Sequence, residues 1–253
     1  MAVYAVSDLH GYMDVFLRGL EEIGFGDDDQ LYMIGDAIDR GEDGIRILQY
    51  IKEHKNMDLL IGNHEFMMLN SVDPNGEDKC NGYDSDLWLY GNGGTKTYAQ
   101  YERLSTKERQ SLLFWMNRRY VIKTLEIDGT PFCLTHSYFR DELKNKTYNE
   151  LKYDDVWNIV WTSIYREDWE TRGYDIYRDH DYTFITGHVP VQRVRYNQGL
   201  SDDVANNIKI LEKGNLIDID GGCAAGYHDE LDNGALFLRL NDMKAYAVPL
   251  TSD

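Results

Sequence analysis

Gly35-Asp36-Ala37-Ile38-Asp39-Arg40-Gly41 stands between an apolar run, Leu31 to Ile34, and a segment with helical periodicity. This position predicts a turn at the C-terminal end of a β-strand, just before a helix. Two carboxylates and a guanidinium framed by glycines suit the binding of a metal ion and a phosphate. A loop with a surface ion pair and a helix cap would contain the same residues, so the rest of the chain has to distinguish the two interpretations.

The first third of the chain contains this arrangement three times. Two further apolar runs end in polar motifs: Val3 to Val6 precedes Ser7-Asp8-Leu9-His10-Gly11, and Asp58 to Ile61 precedes Gly62-Asn63-His64-Glu65. Asp36 follows Asp8 by 28 residues and Asn63 follows Asp36 by 27, which is about the length of one β-α unit. We therefore predict a β-α-β-α-β core whose second helix covers Gly44 to Glu53.

The later segments predict further strands. Asp128-Gly129, between Tyr120 to Ile127 and Pro131 to Thr135, indicates a β-hairpin. Additional strands are expected at Tyr182 to Thr186, Leu216 to Ile219, Ala235 to Leu240 and Ala245 to Val248. Together with the core, these segments predict an α/β protein.

The segments between the strands predict less regular structure. A capping box of Ser105 and Glu108 begins a helix that should run to about Asn117, whereas residues 73–98 should be rich in loops. No stretch has the composition of a linker. We therefore expect a single domain over residues 1–253, with a variable loop-rich and helical insert at about 138–181 whose aromatic side chains pack in the core and on the surface.

Composition and charge limit the classes of function. The chain has 253 residues and a formal net charge of −18, which argues against nucleic-acid binding because phosphate backbones require patches of lysine and arginine. It has no run of about 18 apolar residues, and Asp8 comes too early for a signal peptide. Cys80, Cys133 and Cys223 are too few and too widely spaced for a disulfide framework, and we expect them in the core. These features predict a cytoplasmic protein that binds neither nucleic acid nor membrane.

Five polar clusters each follow an apolar run that predicts a strand. They consist of Asp8 and His10, of Asp36, Asp39 and Arg40, of Asn63 and His64, of His136, and of His188. In open α/β sheets ligands bind at the carboxyl ends of the strands, so these side chains can converge on one site. Carboxylates, imidazoles and an asparagine carbonyl suit manganese, iron or zinc rather than a soft thiolate site. Any one of these residues is also explained by a cap, a turn or a structural histidine, but together they predict a metal centre.

These motifs resemble the signatures of the PPP-type, calcineurin-like metallophosphoesterases. Asp8-Leu9-His10-Gly11, the stretch from Gly35 to Gly41, and Gly62-Asn63-His64-Glu65 look like the three signature motifs, and His136 and Gly187-His188 match two later histidine motifs in the right order. The resemblance is strongest to the bacterial and phage branch typified by phage lambda serine/threonine protein phosphatase. It implies a four-layer αββα sandwich with mixed sheets, built on the β-α-β-α-β metal-binding core.

The resemblance also implies a role for each matching residue. Two divalent metal ions, manganese before iron or zinc, would be held by Asp8, His10, Asp36, Asn63, His136 and His188, with Asp36 bridging both. A hydroxide between the metals would attack phosphorus directly, and the centre, at about +1 charge, would attract a phosphate dianion. Arg40 and Asn63 would bind the phosphate, and His64, oriented by Asp39, would protonate the leaving alkoxide.

Two positions depart from the family pattern. Ser137-Tyr138-Phe139 follows His136 where the family often has glycine or alanine, so bulky side chains should narrow or reshape the substrate cleft. A second phosphate-binding arginine is expected after a tryptophan between the fourth and fifth motifs. Arg166 is the candidate, although its spacing from Trp161 is stretched, and Arg172 is the alternative.

The resemblance favours a metal-dependent phosphoric monoester hydrolase that acts on phosphoserine or phosphothreonine in proteins, or on a small phosphorylated substrate. The main alternative is a symmetrical bis(5'-nucleosyl)-tetraphosphatase. That family typically has a non-acidic residue where Asp39 stands, and an alkoxide leaving group needs an acid more than a nucleotide phosphate does. A cyclic-nucleotide phosphodiesterase is disfavoured because Pro190 stands where a second histidine is usual, and a binding protein without activity is disfavoured because no expected ligand is missing.

Overall fold

Two five-stranded mixed sheets form the centre of the computed structural model, which describes residues 1–76, 82–163, 165, 177–227 and 232–251. The strands are β1 (Val3–Val6), β2 (Gln30–Ile34), β3 (Met57–Leu60), β4 (Ile122–Ile127), β5 (Thr130–Thr135), β6 (Thr183–Thr186), β7 (Leu211–Lys213), β8 (Leu216–Asp218), β9 (Gly234–Arg239) and β10 (Lys244–Pro249). One sheet has the order β10-β9-β1-β2-β3 and the other the order β4-β5-β6-β8-β7.

Helices connect and cover these strands. They are α1 (Met13–Glu22), α2 (Gly44–Glu53), α3 (Asn63–Ser71), α4 (Tyr83–Asp86), α5 (Thr95–Arg103), α6 (Thr106–Met116), α7 (Tyr153–Trp161), α8 (Val191–Asn197) and α9 (Asp202–Ala205), with a π-helical turn at Leu87–Gly91. Short 3-10 turns lie at Asp141–Leu143, Tyr148–Glu150 and Cys223–Ala225. The Ser105 hydroxyl accepts the Glu108 backbone N–H, so the predicted capping box does begin α6.

Each sheet places three parallel strands side by side. In the first, Val3 of β1 lies opposite Gln30 of β2, and Leu31 of β2 lies opposite Met57 of β3. In the second, β5, β6 and β8 are parallel, and the predicted hairpin adds β4 antiparallel to β5. The five polar clusters of the sequence follow the carboxyl ends of five of these six parallel strands, namely β1, β2, β3, β5 and β6.

The alternation of side chains along the strands explains the layers. In β1, Val3 and Ala5 point towards the second sheet, whereas Tyr4 and Val6 point towards the helices, because successive side chains of a strand face opposite sides. The cluster between the sheets contains residues of both, and the outer faces are covered by α1 and α2 on one side and by α7 on the other. This arrangement of helix, sheet, sheet and helix confirms the predicted αββα sandwich.

Some local predictions need correction. Residues 73–98 are not mainly loops, because α4, the π-helical turn and the start of α5 lie there and bury Trp88 completely. The third strand covers Met57–Leu60 and so begins one residue earlier than expected. Cys133 and Cys223 are free and buried, as predicted, whereas Cys80 lies outside the described residues. None of the helices in the described ranges has the length and apolar character needed to cross a bilayer.

The described part of the insert at 138–181 contributes side chains to the core. Val156, Ile159 and Val160 of α7 lie against the second sheet, and Tyr165 and Tyr177 are fully buried in the same cluster. Tyr165 and Tyr177 therefore belong to the outer layer of the sandwich beside α7.

Candidate metal centre and active site

The polar clusters predicted from the sequence meet at one edge of the sandwich. His136, which follows β5, lies with Nδ1 2.9 Å from the carbonyl oxygen of Ile34 at the end of β2. The backbone N–H of His188, after β6, donates to the carboxylate of Asp8, after β1, at 3.0 Å. The carboxyl ends of the parallel strands of both sheets thus converge, and they bring together every predicted site residue that the structure describes. Arg166 and its alternative Arg172 lie outside the described residues.

The backbone at this edge adopts an uncommon conformation. Among the described residues, nine non-glycine residues have positive φ, and six of them belong to the predicted site: Asp8 (55°), His10 (46°), Asp36 (56°), Asp39 (73°), Arg40 (67°) and His188 (75°). Such left-handed conformations cost of order 1–3 kcal/mol each for residues with a Cβ. Because most of these positive φ values occur in the predicted site, we infer that the placement of the side chains, rather than the preference of the backbone, sets the conformation of these loops.

Hydrogen bonds between the first two loops hold this backbone. The N–H of His10 donates to the carbonyl of Asp36 at 2.9 Å, and the N–H of Gly41 donates back to the carbonyl of His10 at 2.8 Å. Gly11 has φ of +75°, and a Cβ on it would lie 2.9 Å from the carbonyl carbon of Gly41. The glycine therefore allows the two loops to touch.

Glu65 of the third motif forms hydrogen bonds to the backbone of the second motif, Gly35 to Gly41. Its carboxylate accepts the backbone N–H groups of Asp36 (2.8 Å), Ala37 (2.9 Å) and Gly62 (3.0 Å). Burial, together with the Asp36 carboxylate, raises the pKa of Glu65 to about 7, while its N–H donors oppose that rise. Glu65 had no predicted role, although a glutamate at the third position of a helix often accepts the N–H of the residue before the helix, as Glu65 does from Gly62.

Four ligand atoms from four separate segments surround one position. Asn63 Oδ1 lies 2.9 Å from His136 Nε2 and 3.0 Å from His188 Nδ1, and Asp36 Oδ2 lies 3.4 Å from His136 Nε2. Nitrogen and oxygen ligands about 2.1 Å from a single cation are roughly 3.0–3.4 Å apart. These four residues therefore fit one metal ion.

A second group of ligand atoms shares Asp36 with the first. His10 Nε2 lies 3.8 Å from Asp36 Oδ2 and 3.9 Å from Asp8 Oδ1, and His64 Nε2 lies 3.8 Å from the same Asp36 oxygen. His10, Asp36 and His64 form one set of side chains able to hold a cation, and Asp36, His136 and His188 form another. Because Asp36 is common to both sets, the geometry fits two cations with Asp36 between them.

Burial and neighbouring charges shift the pKa values of the carboxylates and imidazoles in this cluster. Burial and the neighbouring Asp36 raise the pKa of Asp8 to about 6. For Asp36, burial is outweighed by the imidazoles of His136 and His64, which hold its pKa well below the usual range. Burial is likewise outweighed at His136, where Asp36 raises the pKa to about 10, whereas burial and His136 lower the pKa of His188 to about 3. Since Asp36 favours the protonated imidazoles of His136 and His64, divalent cations would replace those protons as the compensating charge.

His64 and Asp39 form a buried acid–imidazole pair beside the ligands. His64 Nδ1 lies 2.6 Å from Asp39 Oδ2, and the indole N–H of Trp88 donates to the same oxygen at 2.8 Å. The N–H of Asp39 donates to Thr97 Oγ1 at 2.9 Å. Burial alone would lower the pKa of His64, but Asp36 and Asp39 outweigh it and raise that pKa. Trp88 and Thr97 had no predicted role; Trp88 lies in the short apolar run Leu87 to Tyr90, directly before the glycine-rich Gly91-Asn92-Gly93-Gly94.

A cavity of about 510 Å³ opens onto these groups. His10, Asp36, Asn63, His64 and His188 line one part of it, and Arg40, which is exposed, lines its mouth. Tyr138 and Phe139 do not line it, because Phe139 is buried against His180 and Phe184. The expectation that these bulky residues narrow the cleft is therefore wrong.

The chain matches one protein family and two kinds of characterised enzyme. The family described as calcineurin-like phosphoesterase matches residues 1–219. Serine/threonine-protein phosphatase 2 of Salmonella typhimurium is 27% identical over 200 residues, which is 75% of this chain and 80% of that protein. A symmetrical bis(5'-nucleosyl)-tetraphosphatase of Nitrosospira multiformis is 27% identical over 139 residues, but the match spans only 43% of that protein and 54% of this chain.

Solved structures share the fold. A metallophosphoesterase from Sphaerobacter thermophilus superposes with a TM-score of 0.54 at 14% identity, covering 100% of this chain and 90% of that one. A cold-active protein-tyrosine phosphatase of a psychrophilic Shewanella species has a TM-score of 0.51 at 18% identity, covering 98% and 80%. At these identities the likeness concerns the fold alone.

Proposed function

This chain belongs to the calcineurin-like phosphoesterase family, and from that premise we propose that it is a metal-dependent phosphoric monoester hydrolase acting on phosphoserine and phosphothreonine in proteins. The family match supports a metal-dependent hydrolase of phosphoesters. The choice of monoester and of protein substrate rests on the arrangement of side chains in the cavity.

The observation that carries this proposal is the pair formed by His64 and Asp39. Asp39 occupies Nδ1 of His64 at 2.6 Å, which leaves Nε2 on the side of Asp36 and the cavity. The carboxylates of Asp36 and Asp39 raise the pKa of His64 and so favour the protonated imidazole. Nε2 can therefore donate that proton to the departing oxygen of serine or threonine, a poor leaving group that needs one.

Arg40 and Asn63 supply donors for the phosphate. The Arg40 backbone N–H is anchored to the carbonyl of Gly93 at 3.2 Å, while its guanidinium lines the cavity and, within the described residues, has no hydrogen-bond or ion-pair partner. A planar guanidinium with several free donors matches the oxygens of a phosphate. Asn63 turns Oδ1 to the imidazoles of His136 and His188 and also lines the cavity, so its amide can contribute a further donor.

The donor set fits two divalent cations, which we propose to be manganese, with iron or zinc as alternatives. Asp8, His10 and Asp36 would hold one ion, which leaves His64 of the same cluster as the proton donor. Asp36, Asn63, His136 and His188 would hold the other ion. When bound, such ions lower the pKa of water and withdraw charge from phosphate oxygens. The task of the chain is to fix the phosphate with Arg40, hold the reacting groups in a buried cavity and deliver a proton from His64.

The alternative is a symmetrical bis(5'-nucleosyl)-tetraphosphatase, because relatives with that name match 54% and 28% of this chain. The buried acid pair favours the monoesterase, since a nucleotide phosphate leaves without needing a proton as strongly as an alkoxide does.

A comparison of substrates tests the proposal. After loading with Mn²⁺, kcat/KM for a phosphoserine peptide should exceed that for diadenosine tetraphosphate, and the opposite order would overturn the proposal. His64→Ala should lower kcat far more for the phosphoserine peptide than for p-nitrophenyl phosphate, because nitrophenolate leaves without a proton. His54→Ala is the matched control, since His54 contacts Tyr50 and does not line the cavity.

A further inference from the structure

The wall of the cavity away from the metal ligands includes the helix α8. Arg193 and Tyr196 both line the cavity and are both exposed, Tyr196 to 68%. They are three residues apart on one helix, so they lie next to each other on the same face. Neither residue belongs to the motifs of the metal centre.

The helix α8 is held firmly in place from its other face. Val191 and Val194 are buried, and the side-chain amide of Gln192 donates to the carbonyls of Gly221 (2.9 Å) and Asp232 (2.7 Å). The guanidinium of Arg195 donates to three backbone carbonyls, those of Asn207, Lys209 and Ile210. Arg193 therefore projects from a rigid support, which reduces the entropy that is lost when it binds a ligand.

Arg193 carries charge that the described part of the protein does not neutralise. Its side chain has no hydrogen-bond or ion-pair partner among the described residues, although the chain has a net charge of −18. The other charged residues of the lining are Arg40, also exposed and unpaired, and the buried carboxylates Asp36 and Asp220. Because Arg40 is needed for the phosphate at the metal centre, Arg193 is a second cationic position in the same cavity, available to a second anionic group of the substrate.

On the basis of the proposed function, we propose that Arg193 is a specificity-determining residue that binds a carboxylate close to the phosphorylated residue of a protein substrate, with Tyr196 packing against the peptide. A sphere of 510 Å³ is about 10 Å across, roughly the length of three extended residues. The carboxylate should therefore lie within three residues of the phosphoserine. Its interaction with Arg193 makes the enzyme select acidic phosphopeptides.

Three phosphoserine peptides that differ only beside the phosphorylated residue test this inference. They carry aspartate, alanine or lysine at the second position from phosphoserine. For the Mn²⁺-loaded protein, we expect kcat/KM to favour the aspartate peptide over the lysine peptide by about tenfold. Arg193→Glu should reverse this order. Because the result is a ratio measured on each variant separately, a general loss of folded protein cancels out of it.

The control is Arg46→Glu, which makes the same change of charge on the exposed face of α2, outside the cavity lining, and should keep the wild-type ratio. An unchanged ratio in Arg193→Glu, or equal use of all three peptides by the wild-type protein, overturns the inference while leaving the proposed function intact. Failure to hydrolyse even the alanine peptide while p-nitrophenyl phosphate is hydrolysed overturns the protein-phosphatase proposal itself, and the inference falls with it.

Discussion

Trp88→Phe tests how the acid–imidazole pair is controlled. The indole N–H of Trp88 and the imidazole of His64 share one acceptor, Oδ2 of Asp39, at 2.8 and 2.6 Å. The second oxygen, Oδ1, has no hydrogen-bond partner among the described residues. Removing the indole donor therefore leaves more of the carboxylate's charge to act on His64, and the substitution should raise the pKa of His64 further.

The size of this effect follows from the single bond that is lost. A hydrogen bond to a charged group contributes about 1.5–3 kcal/mol, and one pKa unit corresponds to about 1.4 kcal/mol. If up to half of the lost interaction passes to His64, its pKa rises by about 0.5–1 unit. Trp88 is fully buried, so the lost bond and the smaller ring should also lower the free energy of unfolding by about 2–4 kcal/mol.

The assay is the pH dependence of kcat for a phosphoserine peptide with the Mn²⁺-loaded protein. Because His64 is proposed to act in its protonated form, activity should fall on the alkaline side as the proton is lost, and a higher pKa of His64 should move that limb to higher pH. Trp115→Phe on α6 is the matched control, because Trp115 packs against Arg119 and does not line the cavity. An alkaline limb that stays in place or moves to lower pH in Trp88→Phe, despite folded protein, would refute the shared-acceptor reasoning.

Three further substitutions or conditions follow from the same geometry. Glu65→Gln replaces an acceptor of three backbone N–H groups with an amide that brings its own donors. Urea denaturation should therefore show that the free energy of unfolding falls by about 2–4 kcal/mol. Glu53→Gln on the exposed face of α2 is the control and should change that free energy little. Gly187→Ala would place a Cβ against the Ser7 hydroxyl and the Asp8 carboxylate, and calorimetry should record at least about a tenfold weaker affinity for Mn²⁺. Gly26→Ala is the control and should bind Mn²⁺ as the wild type does, because a Cβ there would meet only the Asp29 carboxylate, at an ordinary contact distance of 3.9 Å. Free Mn²⁺ at a hundred times its Kd should raise the free energy of unfolding by about 2.7 kcal/mol, and a chelator should reverse this gain. An equal gain in Asp36→Asn would contradict the arrangement in which both metal sites share Asp36.

The sequence predicted the parts of the molecule that depend on local pattern. The strands β1 and β2 and the helix α2 follow from apolar periodicity, and the polar motifs occur where those strands end. Because the carboxyl ends of parallel strands meet, residues as distant as Asp8 and His188 could be assigned to one site before any contact was known. The roles of the ligands, the metal and the single domain stay predictions.

The contacts that tune the site could not be predicted, because they depend on tertiary packing. Trp88 reaches Asp39 only because a π-helical turn folds back over the second loop, and Gly94 packs closely against its ring. Arg193 follows the last histidine motif by five residues, but its exposure to the cavity depends on the anchoring of α8 by Gln192 and Arg195. The sequence suggested that Tyr138 and Phe139 line the cleft. They instead pack in the hydrophobic cluster on the second sheet, because burying their aromatic surface there is favourable.

The left-handed loops have a consequence for how this chain tolerates change. At Asp8, Asp36 and His188 the backbone has φ of 55°, 56° and 75°, a conformation that glycine adopts without strain. A population of variants selected only for resistance to heat or proteolysis should therefore accumulate glycine at these positions and lose its metals as it becomes more robust. If these three side chains bind metal as proposed, activity and stability compete at these positions, and descendants of this chain freed from catalysis would carry glycine there.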